Sequence, residues 1–398
     1  MISADWSEDA EVGHGGRRLS GDSGGRSDRI VGSILFLIVI IVWGARAGAR
    51  YGPEMYFEGD CPYYISTTLS IWHDFDIDLS DQLRGGLAVH GRQIALGRNG
   101  QWYPKHPLLM PLLTVPFYAL FGMPGFALFG VLVLGSLAVT LFLLARLFAP
   151  RLAAAGGALL MVAGTFLRHY DYNITPDLLA ALLAALGLLL LLRGRGVGGG
   201  CVLGFAVLAK LTYLFLLPFA WVYAFLRGGR RGLACSIAAA AGPLGLLLLL
   251  NLALFGSPFI SSYDRNIVLQ DGALTIVSHR GQFDQGLLHG LSGELFDRNH
   301  GLIPTSPALW LAVPGFALML RRYRREAALM LLLGEFYLFL FATYRYWATT
   351  RYGNRFLILL LVLMAAPVAL ALEWMADRLK AWVSVARSER RAAAQSGS

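Results

Sequence analysis

Apolar residues in this chain come in long unbroken runs, not in the short alternations of a half-buried sheet. Runs at 30–49, 124–147, 152–169, 177–192, 233–255, 306–320, 327–343 and 356–373 are separated by polar or arginine-bearing stretches. A helix needs about 20 apolar residues to cross the hydrocarbon core of a bilayer. The pattern therefore predicts an all-α polytopic membrane protein. Residues 197–226 are long for one crossing and short for two, and Lys210 interrupts them. They read as two short helices with Lys210 near the turn, which brings the expectation to about ten transmembrane helices.

Segment 106–122, "HPLLMPLLTVPFYALFG", is the ambiguous one, because it is short and holds Pro107, Pro111 and Pro116. Charge decides its role. If it does not cross, the clusters Arg146/Arg151, Arg193/Arg195, Arg227/Arg230/Arg231 and Arg321/Arg322/Arg324/Arg325 share a side with the basic N-terminal arm. Positively charged loops stay cytoplasmic, so 106–122 is read as a juxtamembrane or re-entrant helix on the outer leaflet. Both termini are then cytoplasmic. Residues 1–29, rich in Gly, Ser, Asp and Arg, form a disordered arm. Residues 30–375 form the transmembrane domain, with outer loops at 50–123 and 256–305. Residues 376–398 form a basic cytoplasmic tail.

Composition agrees: 56% of residues are hydrophobic and 15% charged, against about 25% charged in soluble domains. The net charge of +9 reflects clusters beside apolar runs, so no nucleic-acid partner is expected. Three cysteines, Cys61, Cys201 and Cys235, make no disulfide framework. The stretch "HDFDIDLSDQLRG" spaces Asp74, Asp76 and Asp78 like a calcium loop. It lacks the glycine at the sixth position (Leu79) and the glutamate at the twelfth (Gly85), and reads as a polar turn. No zinc spacing, phosphate loop or serine-hydrolase elbow occurs.

This topology collects polar residues on one face. They include Glu58, Asp60, Tyr63, Tyr64, Lys105 and His106 from the first loop, then Arg168, His169, Tyr170 and Asp177, then Lys210. The long loop adds His279, Arg280, Asp284, Glu294, Asp297 and His300, and the last loop Tyr344, Arg345, Tyr346, Arg351 and Arg355. Ionisable groups near a membrane are costly and tend to mark sites. Plainer readings compete. Glu58 and Asp60 precede Pro62 and suit the start of a helix; Asp177 suits an N-cap; Lys105, Arg168 and Lys210 suit snorkelling to headgroups; the tyrosines suit an interfacial belt.

"FEGDCPYYISTTLSIWHDFDIDLSD" resembles the first outer loop of bacterial GT-C membrane glycosyltransferases, relatives of the protein mannosyltransferases and the aminoarabinose transferase. "KHPLLMPLLTVPFYALFG" resembles the juxtamembrane stretch that follows in that family. "HYDYNITPDLLAALLAALGLLLLLRG", "GELFDRNHGLIPTSPALWLAVPGFALMLRR" and "RYWATTRYGNRFLILLLVLMAAP" resemble its later parts, in order, over roughly residues 30 to 375. One departure matters: the family's Asp-Glu is Asp60-Cys61 here, with Glu58 offering a Glu-x-Asp alternative. Whether a divalent cation takes part is left open.

The resemblance implies an enzyme of the plasma (inner) membrane that faces the extracytoplasmic side. Its donor would be a sugar on polyprenyl phosphate, and its acceptor a glycan, glycolipid or protein. Asp60 would be the base, its proton affinity raised by partial desolvation, with Glu58 as alternative or partner. Lys105, His106, Lys210, Arg351 and Arg355 would hold the phosphate. Tyr63, Tyr64, Tyr170, Asp177 and Glu294 would contact sugar or acceptor. A transporter or flippase of lipid-linked sugars, and a non-catalytic lipid-binding relative, are the competing classes.

Overall fold

The computed structural model describes residues 25–50, 59–84, 93–170, 174–270, 273–349 and 352–396. The expected disordered arm up to residue 24, Glu58 and Arg351 lie outside the described residues. In chain order the elements are α1 (Arg26–Arg50), α2 (Cys61–His73), α3 (Ser80–Arg84), β1 (Ile94–Leu96), β2 (Trp102–Pro104), α4 (Leu109–Phe121), α5 (Pro124–Ala145), α6 (Arg151–Ala163), α7 (Asp177–Leu192), α8 (Gly196–Ala209) and α9 (Leu216–Phe255). Then come β3 (Asn266–Gln270), β4 (Ala273–Val277), α10 (Leu287–Phe296), α11 (Leu302–Thr305), α12 (Ala312–Arg322), α13 (Arg324–Ala342) and α14 (Ile358–Ser396).

Among the described residues, four helical stretches are long and apolar enough to cross a membrane: Arg26–Ala49, Pro124–Ala145, Leu211–Phe255 and Arg355–Glu389. The Leu211–Phe255 stretch contains a reversal. Gly229 sits at φ 59°, ψ −154°, a region open essentially to glycine alone, and splits α9 into a descending and a returning limb. Helix α8 stops at Lys210, whose backbone is extended (φ −152°, ψ 116°), so the chain breaks where the sequence placed a turn. At 13 residues, α4 rises about 20 Å, less than the ~30 Å core, in keeping with the juxtamembrane reading.

The direction of each helix follows from contacts at its ends. Asp28 at the start of α1 is bonded by Arg146 at the end of α5 and by Arg151 at the start of α6. At the other end, Arg46 of α1 meets His169, just beyond α6. Chain 50–123 therefore leaves and returns at one end of the bundle. Arg322 of α12 bonds Glu373 of α14, while Asp177 opening α7 meets Lys210 closing α8. The arginine-rich ends share one end of the bundle; the acid–base cluster shares the other. One continuous apolar core joins α1, α5, α6, α7, α8 and α14.

One expectation is corrected. The fold is not purely α-helical, because the two long loops carry a four-stranded antiparallel sheet in the order β2-β1-β3-β4. The β1–β2 hairpin of the first loop (Leu96↔Trp102) meets the β3–β4 hairpin of the long loop through Ala95↔Asn266. Strands this short are stable only when paired and backed; here Tyr63 of α2 packs with Ile94 and Ile267 beneath them.

Candidate active site

The centre of the site is Asp60. It stands at the cap position of α2, yet its side chain makes no cap hydrogen bond, so the plain capping role is not the one it plays. Its Oδ2 lies 2.7 Å from Nη1 of Arg355, and its Oδ1 lies 3.6 Å from Nε2 of His106. The residue is only 7% exposed. Burial alone would raise its proton affinity, but the charge of Arg355, with His106 and Lys105, outweighs burial and holds the carboxyl well below the usual range. This corrects the expectation of a desolvated, raised Asp60: desolvation occurs, but a guanidinium in contact dominates it.

His106 is fixed from three directions. Its ring stacks on Tyr64 at 5.0 Å, Nε2 lies 2.9 Å from Gln93 Oε1, and Nδ1 lies 3.3 Å from the Tyr263 hydroxyl. The Gln93 oxygen can only accept, so Nε2 carries the proton and Tyr263 donates to Nδ1. Burial lowers the pKa of His106 despite the opposing pull of Asp60, which keeps the ring neutral. The same Gln93 oxygen accepts from Lys105 Nζ at 3.1 Å, and Lys105 lies 5.7 Å from the Tyr263 ring centre. Buried at 7% exposure, Lys105 does not snorkel.

A second ion pair stands beside the first. Lys210 bonds Asp177, and its Nζ lies 4.7 Å from the Phe356 ring centre. Arg355 approaches the same ring at 5.2 Å and feels the charge of Asp177. One aromatic ring thus carries two cations, each with its own carboxylate. Lys105 and Arg355 act on Asp60, and Lys210 and Arg355 on Asp177. Cations gathered this closely suit a phosphate that arrives among them.

The other expected residues fall in different places. Tyr63 lies in the apolar seam under the sheet. Tyr170 is in the core against Phe166 and within electrostatic reach of Arg355. Glu294 is fully buried but bonds Asn354, one residue before Arg355. Arg168 bonds His169 and Tyr352; Asp284 pairs with Arg345 and Asp297 with His300, both near the surface. Asp76 and Asp78 accept from Ser70, Ser80 and Trp102. Among the described residues no three His, Cys, Asp or Glu side chains gather as a metal set. Sequence reasoning missed Gln93, Tyr263, Asn354 and Phe356. Nothing local marks them; they matter by where the two outer loops and the start of α14 converge.

An apolar cleft leads away from His106. It runs between α4, α8 and α9, encloses about 120 Å³, and is walled by Leu109, Leu112, Leu208 and Leu250, with His106 and Tyr263 at its polar end. His106 and Tyr263 thus belong both to the polar cluster and to the lining of a largely apolar groove.

No protein-family model matches the sequence, and no curated protein does. Solved structures do share the fold. ArnT from Cupriavidus metallidurans in the apo state aligns over 88% of this chain and 61% of its own, with TM-score 0.54 and 18% identity. The Archaeoglobus fulgidus oligosaccharyltransferase in the apo form aligns over 92% of this chain and 52% of its own, with TM-score 0.55 and 13% identity. The chain therefore spans about three fifths and about half the length of these two proteins.

Proposed function

The chain carries the GT-C glycosyltransferase fold, and from that premise we propose that it moves a sugar from a polyprenyl-phosphate donor to an acceptor at the outer face of the plasma membrane. One observation carries the reading: a buried carboxylate meets Arg355 and His106, and His106 in turn lines an apolar cleft. The first part of a prenyl tail enters the cleft, its phosphate meets Lys105, Lys210 and Arg355, and the sugar lies over Asp60.

In the proposed step the acceptor hydroxyl oxygen forms a bond to the anomeric carbon. The bond from that carbon to the donor phosphate oxygen breaks, and the lipid phosphate leaves with the electron pair. Asp60 takes the hydroxyl proton. In the empty site Arg355 makes Asp60 a weak base. An arriving phosphate shares the guanidinium, lowers its hold on Asp60, and so raises the carboxyl's proton affinity when the base is needed. Lys105, Lys210 and Arg355 stabilise the charge growing on the leaving phosphate, and the Nε2 proton of His106, given to Gln93 in the free protein, turns to the phosphate as a further hydrogen bond. Asp177 orients Lys210, and Tyr64 and Tyr170 border the sugar. Glu58 and Arg351 are assigned as partner acid and further phosphate ligand. The acceptor is a glycan, a glycolipid or a protein.

The alternation of helix ends supports about ten crossings within residues 30–375, with both termini cytoplasmic. Transporters hold their ionisable groups near the bilayer midplane; here the cluster lies at one end of the bundle, which favours transfer over transport. The test is transfer of radiolabelled sugar from polyprenyl-phosphate-sugar in membranes. Asp60→Asn is expected to lower turnover about 100-fold or more. Near-normal turnover in both Asp60→Asn and Glu58→Gln would overturn the base assignment, and lipid movement without transfer would favour a flippase.

A further inference from the structure

Glu294 is the buried acid that the proposed reaction does not use. It is fully buried, on α10. That helix is pressed against the end of α13 and the turn after it. A Cβ on Gly290 would lie 1.7 Å from the Ala342 carbonyl oxygen, and one on Gly293 would lie 2.2 Å from the Trp347 ring. Glu294 Oε1 accepts from Asn354 Nδ2 at 3.0 Å. Asn354 is also fully buried, and its Oδ1 accepts from the Phe356 backbone N–H at 3.0 Å. That bond caps the short turn Arg355–Leu357, which presents Arg355 to Asp60. A backbone bond of 2.7 Å from Gly353 to the Asn299 carbonyl ties the same two segments a second time.

An amide has one donor end and one acceptor end. Were Asn354 to flip, its amide nitrogen would face the Phe356 N–H, which can only donate, and the turn would be uncapped. The amide is thus fixed by Phe356 at its acceptor end, and Glu294 Oε1 takes its donor end. We infer that Glu294 and Asn354 form a buried strut from α10 to the start of α14 that holds Arg355 in line with Asp60, which makes Glu294 a positioning residue. The inference rests on the proposed transferase reading for its catalytic meaning, but not for the strut itself.

The second carboxyl oxygen of Glu294 is buried without a hydrogen-bond partner among the described residues. A bare charge there would be costly, so the strut works with a neutral acid. Burial raises the Glu294 pKa to about 8, the Asn354 bond offsetting this only in part. Ionisable groups on the elements around it are engaged elsewhere. Asp297 pairs with His300, Arg345 with Asp284 and Arg355 with Asp60; Tyr344 packs on Phe356; His289 and Arg298 are exposed. The folded pKa lies above the ordinary one, so the folded state binds the extra proton. Its stabilising effect is complete below the ordinary pKa, near 4.5, and is lost as pH rises through about 8.

The experiment compares full-length wild type, Glu294→Gln, Glu294→Ala and Asn354→Ala, purified and reconstituted in lipid. Thermal unfolding against pH reads the strut without any substrate. Wild type should lose stability as pH rises toward and past 8, and Glu294→Gln should not. In the sugar-transfer assay, Glu294→Gln should stay within about 3-fold of wild type at pH 7 and escape the alkaline loss. Glu294→Ala and Asn354→Ala should lose about 10-fold or more in kcat, since small misplacements are costly. A Glu294→Gln protein with an unchanged stability–pH profile, or a Glu294→Ala protein with full turnover, overturns the inference. Should Glu294→Ala not fold, the Glu294→Gln profiles decide. Wild type in the same assay reads the parent proposal: no sugar transfer there sinks the transferase reading while the stability profiles still judge the strut.

Discussion

At the residue scale, the site turns on which charges are paired. Removing one member of a buried ion pair leaves the other uncompensated and costs about 3–5 kcal/mol. Asp60→Asn is therefore expected to lower stability as well as turnover, and Asp60→Asn combined with Arg355→Gln should regain stability without regaining transfer; a double-mutant cycle in thermal unfolding checks it. The Asp60 carboxyl sits below its ordinary pKa, because Arg355, His106 and Lys105 outweigh burial. Its pairing thus stabilises the fold above the ordinary carboxylate range, near pH 4, and that stability is lost as pH falls further. Asp60→Asn should flatten the acid limb of the stability profile. Lys210→Met should orphan Asp177 and weaken donor binding, raising the donor KM by about 10-fold. The sequence pointed to Asp60, Asp177, Lys105, Lys210 and Arg355 because ionisable groups beside greasy helices are conspicuous. It was silent on partners: Asp60 meets Arg355 and Asp177 meets Lys210 only after the whole bundle has closed. Gln93, Tyr263 and Asn354 carried no signal, being neutral polar residues in polar surroundings.

At the scale of elements, α4 is the informative piece. It is too short to span, and it walls the cleft with Leu109 and Leu112. Narrowing that wall with Leu112→Trp should raise the KM for a long-prenyl donor about 10-fold and leave a short-prenyl donor nearly unaffected. An equal effect on both would remove the cleft from the donor's path. The helices themselves were legible, since a run of about 20 apolar residues admits few other fates. The break at Lys210 was legible too, because a lone charge in a greasy run asks for an end. The outer sheet was not. Each of its strands is three to five residues long, and β1 finds β3 across α4 to α9, a pairing no local window can reveal.

At the scale of the molecule, the two ends of the bundle differ in kind: arginines and Asp28 at one, the acid–base cluster at the other. Cys61 is buried and cannot report sidedness, but Phe259, which is 78% exposed in the loop between α9 and β3, can. Phe259→Cys should react with an impermeant maleimide added to intact cells, and Ser388→Cys, exposed on the distal part of α14, only after lysis. The reverse pattern would place the cluster inside the cell and remove the proposed chemistry. The Ala95↔Asn266 pairing bears on how the protein is made. While a ribosome is still delivering α5 to α9, the first hairpin has no neighbour along its free edge, and Asp60 waits longer still for Arg355. The floor under Asp60 is laid early and roofed late, so a chain released before its last helix would keep a groove and lose the counter-ion that closes it.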